Sequence, residues 1–341
     1  MVSFTRALLF VGLFLFCACS HQQEIDEGHG GRQLYVVSWN VQTFFDAETS
    51  GLEYSDFRGS KSRWNQRLYE ARLDRLVDAI EQLDADILVL QEIENIGVMY
   101  DISNRLAGKL RGKDAYGWMC FEGEEESAIG CGVFSRLPLG QKRVHQVDCR
   151  TLGEQPQLRP LLEVEVLVED GDKTEGSAKG ANSSVLNLFV CHWKSKSGGE
   201  EEAAFWQEKQ EALLGYQLQR VLKNSSDRGK ILVCGDFNRD LHEFNGVDEQ
   251  KGTVLLDSVE VKSGWLYPKV TSGGSYWYQE QWEKIDHVFT AGSLDIGNFE
   301  ALAKGAWVHL DEAGNVIPFR YTMWNDTGYS DHLPVGCWIN F

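Results

Sequence analysis

Ile87-Leu88-Val89-Leu90-Gln91-Glu92 is the stretch from which the architecture can be read. Four apolar residues run without interruption and then stop at a polar pair. A half-exposed strand alternates apolar and polar residues, so a continuous run of this kind is a strand covered on both faces. Just upstream, Tyr69, Leu73, Leu76, Ile80 and Leu83 recur at helical spacing, so residues 64–83 are expected to form a helix. Arg and Glu fill the other face. Before that helix, Leu34-Tyr35-Val36-Val37-Ser38-Trp39 is β-branched and aromatic, as strands are, and it stops at Asn40. The unit is strand, helix, strand, with a polar side chain where each strand ends.

The pattern repeats downstream. Leu186–Val190 runs into Cys191-His192-Trp193, a long helix is expected over about 200–223, and Ile231–Cys234 runs into Gly235-Asp236-Phe237-Asn238. A shorter helix is expected near 101–111. Further strands are expected at Gly130–Phe134, Leu161–Val168 and Val335–Ile339. Residues 169–183, rich in Gly, Ser, Asp and Lys, are expected to form an exposed hairpin loop. No interior linker and no internal repeat interrupts the series. An α/β layered fold in one domain over residues 34–341 follows.

The N-terminus reads differently. Arg6 precedes an apolar stretch, Ala7 to Ala18, that suits an export signal and is too short to span a bilayer as a helix. It ends at Phe16-Cys17-Ala18-Cys19-Ser20. A small residue before Cys resembles a bacterial lipoprotein cleavage site, so residues 1–19 are expected to be a signal peptide with Cys19 lipidated. Residues 20–33 would be a flexible tether. An ordinary secretory signal is the alternative, and both place the mature chain outside the cytoplasm, lipid-anchored to a membrane in the first case. The chain is expected to be a monomer.

Composition narrows the function classes. With 43% hydrophobic residues the chain can fill a core. A net charge of −18 argues against tight nonspecific binding to nucleic acid, which depends on Lys and Arg. It leaves room for a hydrolase that holds such a substrate briefly, because a bound cation inverts the local field. Six cysteines beyond the signal (Cys120, Cys131, Cys149, Cys191, Cys234 and Cys337) would permit three disulfides. Cys191 and Cys234 sit in apolar runs that equally suit buried thiols. No cysteine spacing suggests structural zinc.

Singly, each strand-end residue has a plain explanation as a turn former or a solvated group. Together, oxygen ligands with two His suggest a hard divalent cation, Mg²⁺ or Mn²⁺. Six pieces in order carry a resemblance: Ser38-Trp39-Asn40-Val41, Asp86 to Glu92, Val190-Cys191-His192-Trp193-Lys194-Ser195, Gly235-Asp236-Phe237-Asn238, Ile285-Asp286-His287-Val288 and Ser330-Asp331-His332-Leu333-Pro334-Val335. Phe134-Ser135-Arg136-Leu137-Pro138 is a further element of this kind. The chain resembles the endonuclease/exonuclease/phosphatase superfamily over about residues 34–341. The resemblance implies a four-layer αββα sandwich, two mixed or antiparallel sheets flanked by helices, and a metal-dependent phosphodiesterase.

It also implies roles. Glu92 would be the principal metal ligand, with Asn40 helping and Asp331 supporting the metal site or His332. Asp236 would position or deprotonate water, and Asn238 would fix that water or a phosphate oxygen. Asp286 would set the His332 tautomer, and His192 would donate to the phosphate or protonate the leaving oxygen. His145, His242, His287 and His309 are expected to be structural or solvated. Arg58, Lys61, Arg63, Lys194 and Lys196 would form a basic rim or an ordinary solvated face.

Three functions compete. The first is a nonspecific nuclease with nucleic acid as a transient substrate. The second is a phosphoesterase acting on phospholipid or a small phosphate ester, such as a sphingomyelinase-like phospholipase C or an inositol polyphosphate phosphatase. The third is a surface binding protein that lost catalysis, which the intact motifs disfavour. The aromatic run Trp265–Trp282 is expected to be a strand pair with buried rings.

Overall fold

The computed structural model describes residues 32–123, 127–150, 154–169, 183–225, 229–268, 270 and 272–341. The expected signal, Cys19 and most of the tether lie outside the described residues. In chain order the first elements are β1 (Gln33–Phe44), α1 (Gln66–Leu83), β2 (Ile87–Ile93), α2 (Ile96–Leu106), β3 (Trp118–Glu122), β4 (Gly130–Ser135), β5 (Leu139–His145) and β6 (Leu161–Glu169). There follow β7 (Ser183–His192), α3 (Glu200–Asn224), β8 (Lys230–Asp236), β9 (Asn245–Asp248), β10 (Thr253–Leu256) and β11 (Val259–Ser263). The last are β12 (Tyr276–Tyr278), β13 (Gln281–Glu283), β14 (Asp286–Gly292), β15 (Asp295–Ala301), β16 (Val308–Leu310), β17 (Val316–Pro318) and β18 (Val335–Asn340).

Two sheets form the body of a four-layer αββα sandwich. One has six strands in the order β15-β18-β1-β2-β4-β3, and the other has eight in the order β5-β6-β7-β8-β14-β11-β10-β9. Within each sheet a single neighbouring pair is parallel, β1 with β2 and β7 with β8. A parallel neighbour requires a crossover, and α1 and α3 supply it. The sheets pack through β1 and β2 against β8, β4 against β7 and β14 against β18. This explains why β2 and β8 read as unbroken apolar runs: both of their faces are covered. β5, at a sheet edge, is polar and largely exposed, which discourages pairing with another chain.

The helices start and stop where local chemistry dictates. Asn65 caps α1, its side chain accepting from the Leu68 N–H, and the helix ends at Asp84 in a left-handed conformation. The second helix begins at Ile96, five residues before its expected start, because Asn95 caps it and accepts from the Val98 N–H. Glu200, Glu201 and Glu202 sit in the first turn of α3, where negative charge favours the helix dipole. β6 and β7 pair antiparallel from Leu162 with Val190 out to Glu169 with Ser183. The loop expected over residues 169–183 lies, from 170 to 182, outside the described residues.

Two expectations change. The six cysteines described are free thiols, with Cys131, Cys191, Cys234 and Cys337 buried and Cys120 and Cys149 half-buried. Burial pushes the Cys234 thiol up to about 12, so it behaves as a small apolar side chain. The aromatic run does make a strand pair, β12 with β13. Its rings are not all inside: Trp265 is buried, but Tyr276 is half-buried and Tyr278 exposed.

Candidate active site

The ends of the two central parallel pairs face one cleft. Asn40 of β1 sits opposite Gln91 of β2 where their register shifts, Glu92 is the next residue of β2, and His192 and Asp236 end β7 and β8 as register partners. Asp286 opens β14, opposite Asp236 in the antiparallel pairing. Asn238 follows β8, and Asp331 and His332 come from the loop before β18. The cleft has a volume of about 1260 Å³, and Glu92, His192, Asp236, Asn238, Asp331 and His332 are part of its lining.

Asp236 is the hub. Its Oδ2 accepts from Asn40 Nδ2 at 2.9 Å, and its Oδ1 accepts from the Asn238 N–H at 2.8 Å. His192 Nε2 stands 3.8 Å from Oδ2 and His332 Nε2 stands 4.0 Å from it. Asn40 Nδ2 also donates to Glu92 Oε1 at 3.0 Å, so one amide bridges both carboxylates. The amide oxygen of Asn40 is taken by the Gln42 N–H at 2.9 Å. For Asn40 to ligate a cation its amide would have to turn over. Asn238 donates to the Trp193 carbonyl at 3.2 Å. Asp331 pairs with Arg320 at 4.0 Å.

Asp286 Oδ2 lies 2.8 Å from His332 Nδ1. Burial by itself would depress the imidazolium of His332. The charge and hydrogen bond of Asp286, then the charges of Asp236 and Asp331, outweigh it and raise His332 to about 10. These carboxylates thus favour the charged form of His332. Burial likewise raises Asp236, to about 7, with His332 pulling it back down and Asp286 pushing up. His192 goes the other way: burial, then the charges of Arg159 and His332, hold it well below its usual range. It is a neutral imidazole beside carboxylates, with its Nδ1 buried and unpartnered.

Backbone contacts lock the parts together. The Ser330 hydroxyl donates to the Asn40 carbonyl at 2.6 Å and accepts from the His332 N–H at 3.0 Å. The Trp39 indole donates to the His332 carbonyl at 3.0 Å. The ring of Tyr276 packs on His332 with centroids 4.7 Å apart.

A hard divalent cation fits this donor set. Glu92, Asp236 and Asp331 line one cleft, and the Asp286 Oδ1 is buried with no partner. Asp236, Asp286 and His332 bring ligand atoms within 4.8 Å of one another. Carboxylates so close need positive charge between them, and His332 supplies only part of it.

The remaining histidines are elsewhere. His287 is buried, stacks on Phe289 and meets the Arg239 carbonyl at 2.9 Å, and burial lowers it to about 4. His145 pairs with Glu163 at 2.7 Å, and His242 and His309 are exposed. Of the proposed basic rim, Lys61, Arg63 and Lys196 line the cleft.

Several lining residues are not marked as site residues by the sequence, among them four that touch the charged and aromatic parts of the cleft. Arg159, Arg320 and Tyr54 are isolated in loops and carry no local signal. Tyr276 lies in the aromatic run but is placed by its bridge to His332.

The sequence model of the Endonuclease/Exonuclease/phosphatase family matches residues 37–332. Among curated proteins, none matches the sequence. Solved structures similar to the chain include TDP2 from C. elegans (14% identity, 92% of this chain, 78% of that one, TM-score 0.56). The mannosyl-6-phosphatase of Bacteroides thetaiotaomicron is also similar (14% identity, 90% of this chain, 100% of that one, TM-score 0.53). So is D. rerio TDP2 complexed with a single-strand DNA product (14% identity, 91% of this chain, 99% of that one, TM-score 0.51). At such identities the likeness is one of fold.

Proposed function

The chain belongs to the endonuclease/exonuclease/phosphatase family and is a hydrolase of phosphoester bonds, and from this premise we propose that it is a divalent-metal-dependent phosphodiesterase acting on nucleic acid outside the cytoplasm. The carrying observation is the hub at Asp236, with Asn40 at 2.9 Å, His192 at 3.8 Å and His332 at 4.0 Å. Three kinds of help that phosphodiester cleavage needs meet there: a base, a fixed cation and a neutral donor.

Asp236, raised to about 7, takes the proton of the attacking water and is basic enough at neutral pH to do so. Asn238 fixes that water or a phosphate oxygen. His332, held charged by Asp286 at 2.8 Å, stabilises negative charge on the phosphoryl group. His192, kept neutral, donates to a phosphoryl oxygen or to the leaving alkoxide. Glu92 would hold Mg²⁺ or Mn²⁺, with Asn40 orienting its carboxylate and Asp331 adding negative charge nearby. Such a cation supplies charge neutralisation on the phosphoryl oxygens.

Nucleic acid is favoured by the rest of the cleft, where Tyr54, Tyr278 and Trp324 offer ring faces and Lys61 and Arg63 offer positive charge. Stacking on aromatic rings tolerates any base, which suits a nonspecific enzyme. A small phosphate ester is the second reading, supported by the acidic net charge of −18 and by the fold shared with a mannosyl-6-phosphatase. Incubation of the signal-free protein with plasmid DNA, RNA, sphingomyelin, mannose 6-phosphate and bis-p-nitrophenyl phosphate, with Mg²⁺, Mn²⁺ or EDTA, separates them. Metal-dependent cleavage of DNA or RNA is expected. Turnover of lipid or sugar phosphate alone would replace the nucleic-acid reading, and no turnover of any would leave a binding protein. Attachment through a lipid on Cys19 is part of the same proposal. Labelling with radioactive palmitate should be lost in Cys19→Ala.

A further inference from the structure

We infer that Arg72 is a positioning residue that presets the Asn40–Glu92 pair for its divalent cation by holding the strained bend of β1. This rests on the metal role proposed for that pair. The bend is costly. Gln42 and Thr43 have φ of 54° and 43°, and Glu92 has φ of 65°. Non-glycine residues avoid the left-handed region, and for a β-branched Thr the conformation is a genuine outlier. Each such residue is unfavourable and persists only where its surroundings enforce it. The pairing of β1 with β2 slips between Asn40 and Phe44, so the ladder does not enforce it.

Arg72 does. It lies on α1 and is 1% exposed. Its guanidinium donates to three successive carbonyls, Val41 and Thr43 at 3.0 Å each and Gln42 between them. With the carbonyls drawn to α1, the amides serve the site. The Gln42 N–H meets Asn40 Oδ1 and the Thr43 N–H meets Glu92 Oε2. Rings clamp the guanidinium, Tyr321 at 3.9 Å and Phe44 at 4.7 Å. The Gln42 side chain closes the clamp by pairing with the Tyr321 backbone through bonds of 3.0 and 3.3 Å. A planar guanidinium fork fixes the positions of the carbonyls it holds, whereas a lysine ammonium is a point charge with rotatable donors. A buried cation held mainly by backbone carbonyls, with its Nε left unpartnered, is a demanding arrangement, and here it shapes the backbone that carries Glu92, the proposed ligand, and Asn40, which orients it.

The test measures Mn²⁺ binding directly, by electron paramagnetic resonance and calorimetry, in the wild type, Glu92→Gln, Arg72→Met, Arg72→Lys and Arg72→Met/Thr43→Gly. Circular dichroism confirms folding. Removing a group that orients a metal ligand typically costs about 10–100-fold in affinity. Arg72→Met is expected to lose that much while folded, and Thr43→Gly, which relieves the strain, to restore part of it. A purely structural arginine would lower the melting temperature and leave Mn²⁺ affinity unmoved, and that result would overturn the inference. If Arg72→Met does not fold, Arg72→Lys decides: weakened Mn²⁺ binding supports the inference, and wild-type affinity sinks it. If Glu92→Gln binds Mn²⁺ as the wild type does, the proposed metal role has failed instead. Loss in Glu92→Gln with none in the Arg72 variants would fault the inference alone.

Discussion

The two central parallel pairs solve one problem in opposite ways. In β1–α1–β2 the strand ends are distorted, and a buried arginine from the crossover helix grips the backbone. In β7–α3–β8 the ladder stays in register to its last pair, His192 with Asp236. There the crossover helix sends neutral amides. Gln207 donates to the carbonyls of Lys194 and Asn238 at 2.8 and 3.0 Å, and Gln210 accepts from the Lys194 N–H at 2.9 Å. The close approach of β7 and β8 is bought by Gly235, where φ is 140° and a Cβ would stand 1.9 Å from the Cys191 carbonyl oxygen. A strained end held by charge thus presents the proposed metal ligands. A regular end held by amides and a glycine presents the groups that move protons.

The strongest way to break the comparison is to remove the proton-handling groups. Asp236→Asn and His332→Ala should each cut turnover of bis-p-nitrophenyl phosphate by on the order of 10²–10⁴-fold with the fold intact. Full activity in either, with unchanged circular dichroism, would refute their roles. Next comes Gly235→Ala. Both the backbone conformation and the clash oppose it, so a loss of at least about 3 kcal/mol is expected by urea titration, placing it among severe substitutions. A neutral result would mean that β7 and β8 separate easily.

A third prediction sharpens the titratable character of the regular half. His332 is raised from 6.5 to about 10. A group raised in the folded state stabilises it fully below its unfolded value and loses that contribution as pH climbs through the folded one. The melting temperature should therefore fall between about pH 6.5 and 10, and Asp286→Asn should flatten much of that decline. The same slope in wild type and variant would discount the Asp286–His332 pair. The smallest effect is expected for Gln207→Ala, which removes the donor to two carbonyls and should cost about 1–2 kcal/mol. If its cost equals that of Arg72→Met, the distinction between the charged and neutral grips collapses.

Much of this was legible along the chain, because apolar runs that stop at a polar residue mark where buried strands surface. Asn40, Glu92, His192 and Asp236 all announce themselves in this way. Asn238 and His332 follow from motif order, and their closeness in space depends on the antiparallel β14 and on the Ser330 bonds, which no periodicity encodes. Reading every Arg of α1 as part of its polar face hides Arg72. It lies three residues after Tyr69 and four before Leu76, so its spacing belongs to the apolar face. The letter Arg masked what the position said. Arg159 and Arg320 were invisible because loops bring them in from distant sequence. For the cysteines, an even count permits bridges and apolar runs suit buried thiols, and only packing decides: four of the six are buried free thiols.

The Ser330 and Trp39 bonds also have a consequence in time. They tie the first strand to residues 290 and 293 positions later. Contacts of such separation close late in folding. A chain emerging in order, amino terminus first, therefore carries Asn40 and Glu92 long before it can assemble the Asp286–His332 pair. With the roles proposed for Asp286 and His332, the chain is expected to stay inert until the last strand docks. A chain shortened to end before Ser330 should bind no substrate productively, and supplying the missing segment as a peptide is expected to restore a measurable fraction of turnover.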